Sequence, residues 1–195
     1  LVEAPTALLG NFDPDYLSLP REVLISVMKK HQRYFPVEKN GELLPYFITI
    51  ANKPSQEGEY PEMPLVTQGN ADVILARFAD AEYFVRADRK RKLEDYLPDL
   101  DLLTFQVDLG SMLDKSHRVT KLVEHTARQL QLSDQDLKTA LRAAELCKAD
   151  LATQMVVEMT SLQGVMGYYY ALESGEKEAV ALAIREHYLP SSADD

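Results

Sequence analysis

The sequence predicts an α+β N-terminal part over residues 1–65, followed by a mainly α-helical domain over residues 66–195, and three observations carry that division. Two runs rich in aromatic and β-branched residues, Arg33 to Val37 and Leu43 to Ile50, flank Asn40-Gly41, a pair that tolerates the positive φ a tight hairpin needs. From Lys53 to Pro64, prolines, Ser55, Gly58 and the glutamates Glu57, Glu59 and Glu62 form a polar connection with little capacity to pack. Beyond it the apolar residues recur at helical spacing and continue to do so.

The elements follow in order. After a short apolar opening, Ser18 and Pro20 mark a helix start, because proline in a first turn forfeits only an N–H without an intrahelical partner. Val23, Leu24, Val27 and Met28 then give that helix a face to bury. Past the hairpin and the polar connection, Thr67 or Asn70 can cap a helix running to about Arg91, with Ile74, Phe78, Ala81 and Val85 on one stripe. A second helix is expected from about Gly110 to Leu130. A third, capped by Ser133, is expected from Asp134 to Met159, apolar on more than one face and hence central. Shorter helices around Leu162 to Leu172 and Glu176 to Tyr188 complete the pattern, separated by Ser174-Gly175 and ended by Pro190.

With 195 residues, 46 % hydrophobic and 27 % charged, the composition is that of an ordinary globular protein able to bury a real core. No apolar run reaches the length of a membrane span, and none resembles a signal peptide, so no membrane partner is expected. The first residue is Leu1 and folded-looking sequence follows at once, as expected of a segment of something longer. Cys147 is the single cysteine and sits in a helical pattern, which suits a reducing cytoplasm. A formal charge of −10 argues against a general nucleic-acid binder, since such proteins neutralise phosphates, and leaves RNA contact to local patches.

Two such patches exist. Arg86, Arg89, Lys90, Arg91 and Lys92 end the first helix of the second domain, and Lys29, Lys30, His31 and Arg33 precede the hairpin beside Tyr34 and Phe35. Both are RNA-contact candidates, although cations also gather at helix C-termini for the sake of the dipole. Of the four histidines, His31 and His125 have no acidic or cysteine neighbour at ligand spacing and read as structural or surface residues. His117, Asp150 and His187 fall in an order that resembles the HD superfamily of helical metal-dependent phosphohydrolases, in which a divalent ion activates water. The His-Asp doublet of that superfamily is broken here, with Ala149 in place of the histidine. The resemblance therefore implies an HD-like domain without catalytic residues and without a resident metal, with metal-dependent phosphohydrolysis as the alternative.

Further segments are similar to the β subunit of the heterotetrameric glycyl-tRNA synthetase. Among them are Lys30-His31-Gln32-Arg33-Tyr34-Phe35-Pro36-Val37, Phe47-Ile48-Thr49-Ile50-Ala51-Asn52, Ala76-Arg77-Phe78-Ala79-Asp80-Ala81-Glu82-Tyr83-Phe84, Leu162-Gln163-Gly164-Val165-Met166-Gly167 and Glu186-His187-Tyr188-Leu189-Pro190. They span nearly the whole chain in the family's order. One departure is His117, where the family commonly has an acidic residue in the Asp114-Lys115-Ser116-His117-Arg118 segment. The resemblance implies a cytoplasmic assembly that joins glycine to its tRNA with ATP and Mg, the α subunit holding the catalytic site and the β subunit engaging tRNA. For this segment it implies no cofactor of its own. The expected partners are glycine tRNA, the α subunit and the remainder of the β subunit, and a purely structural scaffold is a further reading.

Overall fold

The computed structural model describes residues 3–52 and 63–190. Most of the polar connection expected at Lys53 to Pro64 lies outside the described residues, as does the side chain of His31. The fold is mixed α and β and divides into two compact units, Leu1–Tyr83 and Phe84–Asp195.

In the first unit, strands β1 (Pro5–Asn11), β2 (Phe35–Lys39) and β3 (Glu42–Asn52) form an antiparallel sheet in the order β1-β3-β2. Asn40 and Gly41, with φ of 54° and 84°, turn β2 into β3 as their sequence predicts. Strand β1 occupies the stretch where the sequence predicts only a short apolar opening. Its Leu8-Leu9 pair and Gly10 blur the alternation, and pairing with β3 from Pro5↔Asn52 to Asn11↔Tyr46 makes it a strand. Gly10 sits opposite Phe47, where a Cβ would lie 2.2 Å from the ring's Cζ, so only glycine lets the ring lie flat beneath the strand. Phe47, fully buried, stacks on Tyr34 with centroids 5.0 Å apart.

Helix α1 (Arg21–Ser26) starts after Pro20, as expected, and continues as a wider turn through Val27–His31. Its Val23 and Leu24, with Val27 and Met28, are buried. Helix α2 (Met63–Asp88) buries the stripe Ile74, Phe78, Ala81 and Val85 completely. The residues expected to cap it lie inside it: Thr67 Oγ1 donates to the Met63 carbonyl at 3.0 Å and Asn70 Nδ2 to that of Val66 at 2.7 Å. Such back-bonding to residue i−4 satisfies these side chains within a helix. Asn70 also accepts from the Tyr34 hydroxyl, and Phe78 meets the Phe12 ring edge-on at 4.9 Å.

The second unit is helical with one small hairpin, β4 (Thr104–Gln106) and β5 (Gly110–Ser111), so its start is not all-α. The hairpin delays the next helix, α3 (Met112–Gln129), to the cap at Ser111, whose Oγ accepts from Asp114 N–H while Asp114 Oδ2 accepts from Ser111 N–H. Ser133 caps α4 (Asp134–Leu146) as predicted. The single long helix expected to reach Met159 is instead broken after Leu146. A 3-10 turn (Ala149–Ala152) follows, and then α5 (Gln154–Glu158), α6 (Val165–Glu173) and α7 (Glu178–Glu186). Beyond the break α5 is capped by Thr153, whose Oγ1 accepts from Val156 N–H, and its first N–H groups, those of Gln154 and Met155, are bound by Asp88 at the end of α2.

Candidate nucleic-acid interface

Asp88 organises the basic turn. It is 2 % exposed, and its carboxylate accepts from Gln154 N–H at 2.9 Å, Met155 N–H at 3.0 Å and the Tyr170 hydroxyl at 2.9 Å. The Tyr96 hydroxyl donates to the Asp88 carbonyl at 3.1 Å. Burial and the neighbouring Asp88 charge push Tyr96 up to about 12 and raise Tyr170 as well, so both phenols stay protonated as donors. Asp88 thus ties the end of α2 to α5 and α6. The residues after it, Arg89 to Lys92, must leave the helix axis over that anchor.

The five basic residues then separate into two kinds. Arg89 grips Glu173 of α6 with Nη2 at 2.6 Å and Nε at 2.9 Å, and Arg91 bonds Asp99 at 2.7 Å while lying 4.1 Å over the Tyr96 ring. Hydrogen bonds to those carboxylates raise both guanidinium pKa values, fixing charges that are locally compensated. Arg86, Lys90 and Lys92 are exposed, and among the described residues their side-chain cations pair with no carboxylate, although the main-chain N–H of Lys92 donates to the Asp95 carboxylate at 2.9 Å. A shallow cleft of about 150 Å³ runs beside Lys90 and Lys92, bounded by Tyr170, Glu173 and Ser174. Ser174 Oγ accepts from Leu93 N–H at 2.9 Å and closes the turn on its far side. The product is a rigid turn presenting cations to solvent, able to contact a polyanion. Sequence reasoning saw the cations but missed Asp88, whose only sign is that it is the single acid within the run Arg86 to Lys92.

The other basic group belongs to the first unit. Lys29, Lys30 and Arg33 are exposed on the turn that links α1 to β2, where Arg33 has a φ of 57° and Tyr34 N–H bonds the Met28 carbonyl at 2.8 Å.

Of the three metal-ligand candidates His117 stands apart, while Asp150 and His187 both have Lys148 as a neighbour. His117 is exposed on α3, at a groove of about 690 Å³ shared with Leu113, Lys121 and Leu141. Asp150 is fully buried next to Ala149, and its Oδ2 accepts from Gly164 N–H at 2.5 Å and Gly167 N–H at 3.1 Å, at the start of α6. Burial dominates and moves the Asp150 carboxyl up to about 6, against the pull of those two N–H groups; its Oδ1 has no partner among the described residues. His187 directs Nδ1 at the Ile184 carbonyl, 2.6 Å away, and Nε2 at Lys148 Nζ, 2.7 Å away. A carbonyl can only accept, so Nδ1 carries the proton and the Nε2 lone pair is occupied by the Lys148 ammonium. Burial lowers the pKa of His187 and that of Lys148. Among the described residues no three His, Cys, Asp or Glu side chains gather as a metal site. Nor, among them, is any helix long and apolar enough to cross a membrane.

Comparison with known proteins agrees over the full length. The family profile described as glycyl-tRNA synthetase beta subunit matches residues 1–195. A glycine–tRNA ligase beta subunit of Gloeothece citriformis is 51 % identical over 201 residues, covering 100 % of this chain and 27 % of that protein. That of Synechocystis is 52 % identical over 196 residues, with 100 % and 26 % covered, and that of Bacillus subtilis 48 % identical over 194, with 99 % and 28 % covered. The chain therefore spans about a quarter of the length of the curated relatives it matches. With a profile match from the first residue to the last and half of all positions identical to named members, this chain belongs to the glycyl-tRNA synthetase β-subunit family.

Proposed function

We propose that this segment serves a glycine–tRNA ligase by holding part of glycine tRNA against the turn from Arg86 to Lys92, and that it has no catalytic role of its own. The observation that carries the reading is the division of the basic turn: Arg89 and Arg91 are locked to carboxylates, while Arg86, Lys90 and Lys92 stand exposed on a backbone anchored by Asp88. Local presentation of this kind reconciles phosphate contact with a net charge of −10. Lys29, Lys30 and Arg33 form a second, smaller contact surface. The helical part is HD-like in fold, with Ala149 in the doublet and Asp150 turned to a structural task. Glycine ligation, with its ATP and Mg, belongs to a cytoplasmic heterotetramer in which the α subunit and the remainder of the β subunit are the protein partners. The surroundings of His117, Asp150 and His187 lend no support to metal-dependent hydrolysis.

Titration of glycine tRNA at several salt concentrations tests the reading. The variant carrying Arg86→Ala, Lys90→Ala and Lys92→Ala should bind more weakly, with a salt dependence flattened by roughly 0.7–0.9 log units for each phosphate that is no longer neutralised. An unchanged affinity and slope would exclude this turn as the site of RNA binding.

A further inference from the structure

The sheet of the first unit is buried on its inner face and apolar on its outer one. Its inner face carries Phe47 and Thr49, both buried. On the outer face, the register places Leu9, Ile48 and Phe35 side by side across all three strands, and Ala7 lies opposite Ile50. Side chains two apart on a strand share a face, so Tyr46 and Ile50 extend the row along β3. This outer face is open: Leu9 is 62 % exposed, Phe35 55 %, Tyr46 40 % and Ile50 39 %. No charged side chain interrupts the six residues. An antiparallel sheet whose second face meets water alternates apolar with polar residues, whereas a sheet apolar on both faces sits between two layers.

We infer that this outer face is the docking surface for the remainder of the β subunit. Two observations choose that occupant. The family's members are nearly four times as long as this chain, which covers 27 % of the Gloeothece citriformis protein, so most of the subunit's own mass lies outside it. The face also lacks the cations that RNA would require, and its depletion of charge is that of a permanent, core-like interface. A covering segment joined covalently to the sheet needs no second molecule, because tethering keeps its effective concentration high. The inference rests on family membership and stands apart from the RNA-binding reading.

The test compares thiol accessibility at Leu9→Cys and Phe35→Cys between this chain and a full-length β subunit carrying it, both without the α subunit. Peptide mapping after maleimide treatment separates the new thiols from Cys147, which is buried. Labelling is expected to be fast in this chain and at least tenfold slower in the full-length subunit. Equal rates in the two would overturn the inference. So would protection that arises only on adding the α subunit, or protection already present in this chain, whether or not it depends on concentration. Should either cysteine variant fail to fold, hydroxyl-radical footprinting of Leu9, Phe35, Tyr46 and Ile50 in the unsubstituted proteins reads the same outcomes.

Discussion

Replacing Asp88 by alanine should remove the anchor of the basic turn and cost about 3–6 kcal/mol of stability. The magnitude follows from the donors the carboxylate now holds: the N–H groups of Gln154 and Met155 and the Tyr170 hydroxyl. The Met155 N–H and the Tyr170 hydroxyl would be left buried without an acceptor, at roughly 1–3 kcal/mol apiece, and the Gln154 N–H, which is only partly buried, adds less. Tyr96 contributes little to the loss, because its hydroxyl keeps the Asp88 main-chain carbonyl. Urea denaturation followed by circular dichroism measures the change in midpoint. Asp88→Asn separates charge from shape: an amide keeps one acceptor oxygen but turns an NH2 group toward a donor, so about half the loss is expected. The same variants should weaken tRNA binding even though neither removes a cation, because the turn would no longer be held. A loss below about 1 kcal/mol for Asp88→Ala would refute the anchoring argument, since not even one of these buried donors could then depend on the carboxylate.

Two other perturbations probe the interior. The Asp150 carboxyl, moved up to about 6 by burial, binds its proton more tightly folded than unfolded, so its contribution to stability is greatest at low pH and declines as pH rises from about 4 to 6. The full penalty above that window is on the order of 3 kcal/mol, and in Asp150→Asn this part of the pH dependence should vanish; parallel stability profiles of the two proteins from about pH 4.5 to 6.5 would contradict it. Gly10→Ala should lower the stability by about 1–3 kcal/mol of overpacking, because the new methyl meets the Phe47 ring at 2.2 Å and that ring is pinned by Tyr34. An unchanged or raised denaturation midpoint, with an unaltered near-ultraviolet spectrum, would show that the ring can yield.

Elements encoded by neighbours in the chain were legible in the sequence. The hairpin followed from Asn40-Gly41, the buried face of α2 from the spacing of Ile74, Phe78, Ala81 and Val85, and the start of α4 from Ser133. What escaped was set by residues far apart. Asp88, which captures the N–H groups of Gln154 and Met155 where α5 starts, lies 66 and 67 residues before them in the chain. Strand β1 exists through its pairing with β3, more than thirty residues away at the closest pair, Asn11 with Tyr46. The basic run likewise reads as five equivalent cations until the fold brings Glu173 to Arg89 and Asp99 to Arg91. In the same way the order of His117, Asp150 and His187 resembles a degenerate ligand set in sequence, while in the fold Asp150 accepts from the N–H groups of Gly164 and Gly167 and His187 bonds the Ile184 carbonyl and Lys148, 39 residues away.

Asp88 has one more consequence, for the thermodynamics of recognition. A loop that must order itself around RNA loses backbone entropy on binding and shows a large negative heat-capacity change as it buries new surface. The turn from Arg89 to Lys92 has already been ordered during folding, by an anion underneath it and by Glu173 and Ser174 at its side. Only the flexible ends of Arg86, Lys90 and Lys92 remain to be restrained. On the proposed RNA-binding reading, association with a phosphate backbone would then be dominated by counterion release, with little binding energy spent on ordering the turn.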